Sequence, residues 1–237
     1  YIKKLIRIRK LDIKVTHVDF LPFNRMKVRL KKEIVSLGKG YFDIKKNRGE
    51  LIHPKDWNSI ISDKNIKLID VRNIFEIDIG RFKNSIDPGT KSFRDFPNKI
   101  KKLQLSKESK IAMYCTGGIR CEKASSYLKK EGFKSVCQLD GGIIKYLEYT
   151  QSSQQKSLWK GECFVFDARV TINKKLVKGD YLQCYGCRRP ITKSDTKNKY
   201  YLKGVHCPYC YKTRTYEQKR NSLNRQKQID SGEFKKI

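Results

Sequence analysis

The chain has 237 residues, room for one large domain or two to three small ones. Hydrophobic residues make up 38 %, enough for ordinary cores, but no stretch reaches the roughly 18 uninterrupted apolar residues of a membrane span, and no secretory leader opens the chain. Lys and Arg number 54 against 24 Asp and Glu, a formal net charge of +30 that favours polyanions with salt-sensitive affinity, although AT-rich codon usage, signalled also by only three alanines (Ala112, Ala124, Ala168), is a bland source of part of the lysine excess.

Residues 1–50 begin with a basic amphipathic segment at 2–11. Alternating apolar positions then predict strands over 13–20 and 25–35. One helix and two strands make an incomplete core, so the expectation is that upstream sequence is missing. From 51 to 150 strand and helix alternate. Pro54 fits the first turn of a helix burying Trp57, Ile60 and Ile61, and 66–71 reads as a strand. A loop-rich stretch with Gly80, Pro88, Gly89 and Pro97 follows. Residues 111–114 predict a second strand, Ala124, Tyr127 and Leu128 a helix closed by Gly132, and 135–139 a third strand ending at Asp140-Gly-Gly142. This alternation implies an α/β fold with a parallel sheet, whose ligands bind beyond the carboxyl ends of the strands. Residues 151–157 are polar and read as a linker. A cysteine-rich module spans 158–215. The charged tail, 216–237, predicts a solvated helix or a disordered arm.

The most informative segment is Cys115-Thr-Gly-Gly-Ile-Arg-Cys121. A strand ends, a cysteine starts a tight loop, and a helix follows. Gly117 and Gly118 let the loop turn its N–H groups inward. The helix N-terminus and Arg120 add positive charge. All of this favours a nucleophilic thiolate at Cys115, in a loop whose backbone (Thr116, Gly117, Gly118, Ile119) would cradle a thiolate, persulfide or anion. Arg120 either stabilises charge at the site, is a plain surface charge, or pairs with Asp70 or Glu76. Cys121 is either a resolving thiol for Cys115 or a small helix residue packed on the sheet. Asp70 and Arg72 either orient the loop or form an ion pair holding the fold. Cys137 and Cys163 read as core residues.

Two further pairs, Cys184-Tyr-Gly-Cys187 and Cys207-Pro-Tyr-Cys210, stand nineteen residues apart. Each fits a tight turn aiming two sulfurs at one ion, and together they predict a structural zinc site of the ribbon kind. The alternatives are free thiols or disulfides within the pairs. Tyr181, Tyr185, Tyr200, Tyr201, Tyr209 and Tyr211, set among lysines and arginines, either stack bases or cover a scanty core. Metal-binding and catalytic thiols without an export signal point to the reducing cytoplasm. No pattern for an organic cofactor, a membrane or a protein partner stands out.

Asp70-Val-Arg-Asn73, the Cys115 loop and Leu139-Asp-Gly-Gly-Ile143 resemble a rhodanese domain. Adding Cys121-Glu-Lys-Ala-Ser125, Gly161-Glu-Cys-Phe-Val-Phe-Asp167 and the Cys pairs, nearly the whole chain resembles the rhodanese-containing tRNA uridine-34 hydroxylases. That resemblance implies a partial ferredoxin-like domain of the acylphosphatase type at 1–50, a rhodanese domain at 51–150 and a small four-cysteine module like a zinc ribbon after it. It implies oxygen-dependent formation of 5-hydroxyuridine at the tRNA wobble position, with the anticodon arm as partner, Cys115 as the catalytic thiol and molecular oxygen as co-substrate. Two other functions fit the same loop: a plain sulfurtransferase carrying a Cys115 persulfide, and a non-enzymatic zinc-bearing RNA-binding protein.

Overall fold

The structure is a computed structural model describing residues 18–23, 28–31, 33–40 and 43–232. Its centre is a four-stranded parallel sheet in the order β1-β5-β4-β2, formed by β1 (Glu50–Ile52), β2 (Ile66–Asp70), β4 (Lys110–Tyr114) and β5 (Ser135–Leu139). Between β1 and β2 lies α2 (Pro54–Ser62), which follows α1 (Ile44–Asn47) in the chain. Pro54 stands in the first turn of α2, and the His53 ring accepts the Lys55 N–H at 3.2 Å. The stretch that reads as loops contains α3 (Ile74–Ile77), β3 (Gly80–Phe82) and α4 (Phe96–Lys102). Pro97 there starts a helix rather than breaking one, because the first helical turn needs no N–H from it. α5 (Ile119–Lys130) and α6 (Gly142–Ser152) each follow a sheet strand directly.

Near-continuous apolar strands such as Ile111-Ala-Met-Tyr114 bury both faces of the sheet. One core joins Ile69, Val71, Ile111, Met113 and Cys115 to Phe96, Cys121, Ala124 and Leu128. The other joins Leu68, Ala112, Tyr114 and Leu139 to Trp57, Ile143, Tyr146 and Leu147. Ile60 and Ile61 pack, partly buried, against the second core.

Contacts cross residues 50 and 150. On the N-terminal side Leu37 is buried in the first core, Val35 and Ile44 pack against it, and the Gly49 N–H donates to Ser125 Oγ at 2.9 Å. The amphipathic segment at 2–11 lies outside the described residues, as does the strand over 13–20 up to residue 17. Residues 28–31 and 33–35 of the other expected strand are not in a strand; Val28, Leu30 and Ile34 are exposed, with no described element over them. On the C-terminal side the polar 151–157 stretch is no free linker. Lys156 O accepts from Asn58 Nδ2 at 2.9 Å, and Leu158 N–H donates to the Tyr146 hydroxyl oxygen at 2.8 Å. The chain then returns as β6 (Trp159–Gly161), antiparallel to β3, with Trp159 fully buried in the second core. The hairpin β7 (Cys163–Phe164) and β8 (Thr171–Ile172) packs there too, placing Cys163 in the core as read from sequence.

The Cys pairs follow, with the short ladder β9 (Leu182–Gln183) and β10 (Pro190–Ile191). Of the charged tail, residues 216–230 form a solvated helix, α7 (Tyr216–Asp230), which buries no residue and starts at a capping box of Thr215 and Gln218; residues 233–237 lie outside the described residues. No helix among the described residues is long and apolar enough to cross a membrane.

Candidate active site

Cys115 follows the last residue of β4, at the carboxyl edge of the sheet, and is buried. The next residues curl so that the Gly118 N–H donates to Cys115 Sγ at 3.2 Å. Gly118 holds φ at 89°, a left-handed value natural to glycine, and α5 starts at the next residue. The loop is pinned from the other side by α6. The N–H groups of Ile143 and Ile144 donate to the carbonyls of Cys115 (2.9 Å) and Thr116 (3.2 Å). A Cβ at Gly142 would collide with both carbonyl oxygens and with the Gly118 N–H. Asp140-Gly-Gly142 is therefore a clasp for the cysteine loop, which explains why both glycine-bearing segments are needed together.

Charges alternate behind the loop. Asp70 and Arg72 are fully buried and bound twice over, Arg72 Nη2 to Asp70 Oδ2 at 2.6 Å and Nε to Oδ1 at 2.9 Å. Arg72 also donates to the carbonyls of Glu76 (3.0 Å) and Gly80 (2.6 Å) and lies 5.0 Å from the Trp159 ring centroid. The two side chains form a buried ion pair, and neither reaches solvent. Glu76 is fully buried in turn and takes the Arg120 guanidinium in a fork, at 2.6 Å to Oε2 and 2.7 Å to Oε1. Arg120 Nη2 donates to Thr116 Oγ1 at 3.2 Å. The order Asp70, Arg72, Glu76, Arg120, Cys115 thus runs minus, plus, minus, plus, with the thiolate as the last anion.

The acidity of Cys115 follows. Burial alone would raise its pKa. The hydrogen bond from the Cys121 thiol, the Arg120 charge and the backbone N–H groups of Cys121 and Arg120 outweigh burial and lower it to about 6. Cys121 moves the opposite way, pushed well up by burial and by its bond to the Cys115 sulfur. Cys163 rises to about 12 and Cys137 to about 11, both chiefly through burial. Of these four thiols only Cys115 is made acidic. Glu76 sits below the usual carboxylate range, since the Arg120 fork more than offsets its burial.

A cleft of 820 Å³ opens along the outer rim of the loop, between Gly117, Gly118 and Ile119 on one side and Asp140, Gly141 and Lys145 on the other. It lies beyond the carboxyl ends of β4 and β5, where open parallel sheets take their ligands.

The four paired cysteines come together. The sulfurs of Cys184, Cys187, Cys207 and Cys210 lie within 4.8 Å of one another. Cys184–Cys210 measures 3.9 Å, and Cys187–Cys207 and Cys207–Cys210 each 3.8 Å. Tetrahedral zinc with Zn–S near 2.3 Å requires sulfurs about 3.8 Å apart, so the donor set fits a metal such as zinc. His206 is turned away, its Nδ1 2.8 Å from Tyr200 O. The apolar support is scant: Ile191 and the partly buried Tyr201 complete the cluster. A metal would therefore hold this module together, as structural zinc typically supplies about 10–16 kcal/mol. Stripping with a strong chelator, or Cys184→Ser, is expected to release one zinc per chain and collapse the near-ultraviolet signal of the module's tyrosines. Purified chain with no stoichiometric metal, or an unchanged spectrum, would contradict this.

The tyrosines differ in exposure. Tyr201 covers the sulfur cluster, whereas Tyr185 and Tyr209 are exposed, with Arg188 (5.6 Å) and Arg189 (4.8 Å) over their rings.

Sequence reading underrated Glu76, which it offered only as one of two partners for Arg120, and missed Phe166, whose ring centroid lies 5.9 Å from the Arg120 guanidinium carbon. A glutamate three residues after Asn73, with a side chain that caps its own helix, was the available sign for the first.

Set against models of known families, residues 53–149 match the rhodanese-like domain. Among solved structures the chain is similar to a rhodanese-related protein of Thermoplasma volcanium, at 28 % identity over 42 % of this chain and 92 % of that one, TM-score 0.36. It is also similar to a polysulfide-sulfur transferase homodimer of Wolinella succinogenes, at 26 % identity over 45 % and 80 %, TM-score 0.38. A rhodanese-like domain protein of Staphylococcus aureus aligns at 21 % identity over 41 % and 90 %, TM-score 0.35. With the parallel sheet, the cysteine loop at its carboxyl edge and the family match all falling on the same stretch, residues 53–149 are a rhodanese-like domain.

Proposed function

We propose that this chain is a cytoplasmic tRNA-modifying enzyme in which the Cys115 loop acts on the wobble uridine of the anticodon arm, forming 5-hydroxyuridine with molecular oxygen. The observation that carries the reading is the acidic Cys115, its pKa lowered to about 6 by the Cys121 thiol, the Arg120 charge and loop amides against the effect of burial. The extension from sulfur chemistry to RNA is supported by the net charge of +30 and by residues 181–232, where twelve Lys and Arg face three Asp and Glu. The exposed Tyr185 and Tyr209 beside their arginines would give that module stacking surfaces for unpaired bases. The specific match of Cys115-Thr-Gly-Gly-Ile-Arg-Cys-Glu-Lys-Ala-Ser125 to the uridine-34 hydroxylases supports the reaction assigned.

In this proposal Cys115 and Arg120 are the catalytic residues. Thr116, Gly117, Gly118 and Ile119 shape the loop; Asp70, Arg72 and Glu76 position Arg120 from behind. Hydroxylation balances if a uridine C–H, oxygen and two thiols give C–OH, water and one disulfide. In this proposal Cys121, buried in the same core as Cys115, would supply the second thiol and so act as the resolving one.

The same loop would also serve a sulfurtransferase, with a Cys115 persulfide stabilised by the loop amides and Arg120. One experiment separates the two. Purified chain is incubated in air with an unmodified tRNA transcript and, in parallel, with thiosulfate and cyanide. The proposal expects 5-hydroxyuridine by nucleoside mass spectrometry, lost without oxygen. Thiocyanate formation with no change in the tRNA would favour the sulfurtransferase instead.

A further inference from the structure

The turn of the β7–β8 hairpin lies beside Arg120 of the active loop and is closed by local bonds. Val165 is buried in the second core, and its N–H donates to Val170 O at 2.9 Å. Asp167 and Arg169 close the turn with an ion pair at 2.6 Å. In this hairpin Phe164 is buried and Phe166 is 68 % exposed. Phe75, Phe164 and Phe166 form an edge-to-face row, with centroids 5.3 and 5.0 Å apart. The row ends in a largely exposed ring, with the guanidinium carbon of Arg120, which braces the cysteine loop, 5.9 Å over its centroid.

A small anion such as thiosulfate has no use for such a ring; loop amides and charge suffice to hold it. A planar heteroaromatic does, because stacking covers the ring face while the edge of the base remains free to meet the loop. The geometry points to Phe166 as a stacking platform that seats an unpaired pyrimidine base of RNA against the Arg120 side of the Cys115 loop. This rests on the RNA-directed reading above.

The test titrates the full chain into fluorescently labelled oligouridine and into a labelled tRNA transcript, following anisotropy, for wild type, Phe166→Ala and Phe166→Tyr. Losing one stacked base is expected to weaken oligouridine binding roughly 5- to 150-fold in Phe166→Ala. Phe166→Tyr, which keeps the ring, should bind as wild type does. The iodoacetamide alkylation rate of Cys115 reports the integrity of the loop and should be the same in all three. If wild type binds RNA and Phe166→Ala binds it equally well, the platform is wrong while the RNA-directed reading stands. If wild type binds neither RNA, both fall. A slowed alkylation rate that parallels the lost affinity, or a change of oligomeric state with RNA affinity unchanged, would assign Phe166 to packing or to self-association and overturn the platform.

Discussion

Glu76→Ala is expected to lower folding stability by about 3–5 kcal/mol, as judged by denaturant unfolding, because it strands the Arg120 guanidinium in the interior. Glu76→Gln keeps the shape and one acceptor, so its loss should be smaller, near the about 1.5–3 kcal/mol of a hydrogen bond to a charged group. The telling variant is the double replacement Glu76→Leu with Arg120→Met. Apolar substitutes for a buried pair are often neutral or better for stability. The double variant should therefore recover most of the single variant's loss and yet leave Cys115 without its nearby cation, raising the thiol pKa. Stability and thiol acidity would then separate, the signature of an ion pair kept for its chemistry. The pH dependence carries a definite sign. Glu76 has its folded pKa below its unfolded value of about 4.3. Its contribution is complete above that value and disappears as pH falls through the depressed folded pKa.

Alkylation of Cys115 by iodoacetamide should titrate with a midpoint near pH 6. An ordinary thiol titrates near 8.5, so at pH 7 Cys115 should present roughly thirty-fold more thiolate. Arg120→Gln removes the charge and should move the midpoint upward. The folded thiolate is the stabilised form: its contribution to stability is present above the unfolded pKa of about 8.5 and is lost as pH falls through about 6. Cys115→Ser removes the nucleophile and should reduce turnover at least about a thousand-fold. A Cys115 midpoint near 8.5 would mean that loop, helix and guanidinium fail to activate the thiol.

The cysteine loop was legible because its signals are local. A strand, two glycines, an arginine and a helical period lie within about twenty residues, and the parallel sheet follows from repeating that pattern. The distant parts were not. Glu76 lies 44 residues from Arg120, and no periodicity links them. β1 and β6 have three residues each, too few to show alternation, and the polar stretch 151–157 has the composition of a linker although Tyr146 and Asn58 anchor the chain beyond it. Pro97 and Gly80 suggested loops, yet one starts a helix and the other sits in a strand so close to Glu162 that a side chain would collide with its backbone. Phe166 stands two residues after buried Phe164 in an apolar motif, and nothing local in that motif marks its ring as the exposed one.

The most direct test is nucleoside mass spectrometry of tRNA from a strain lacking this gene, complemented with wild type or with Cys115→Ser. The proposal predicts that 5-hydroxyuridine and nucleosides derived from it vanish in the deletion, return with wild type and stay absent with Cys115→Ser. Their persistence in the deletion strain, or full restoration by Cys115→Ser, would contradict it.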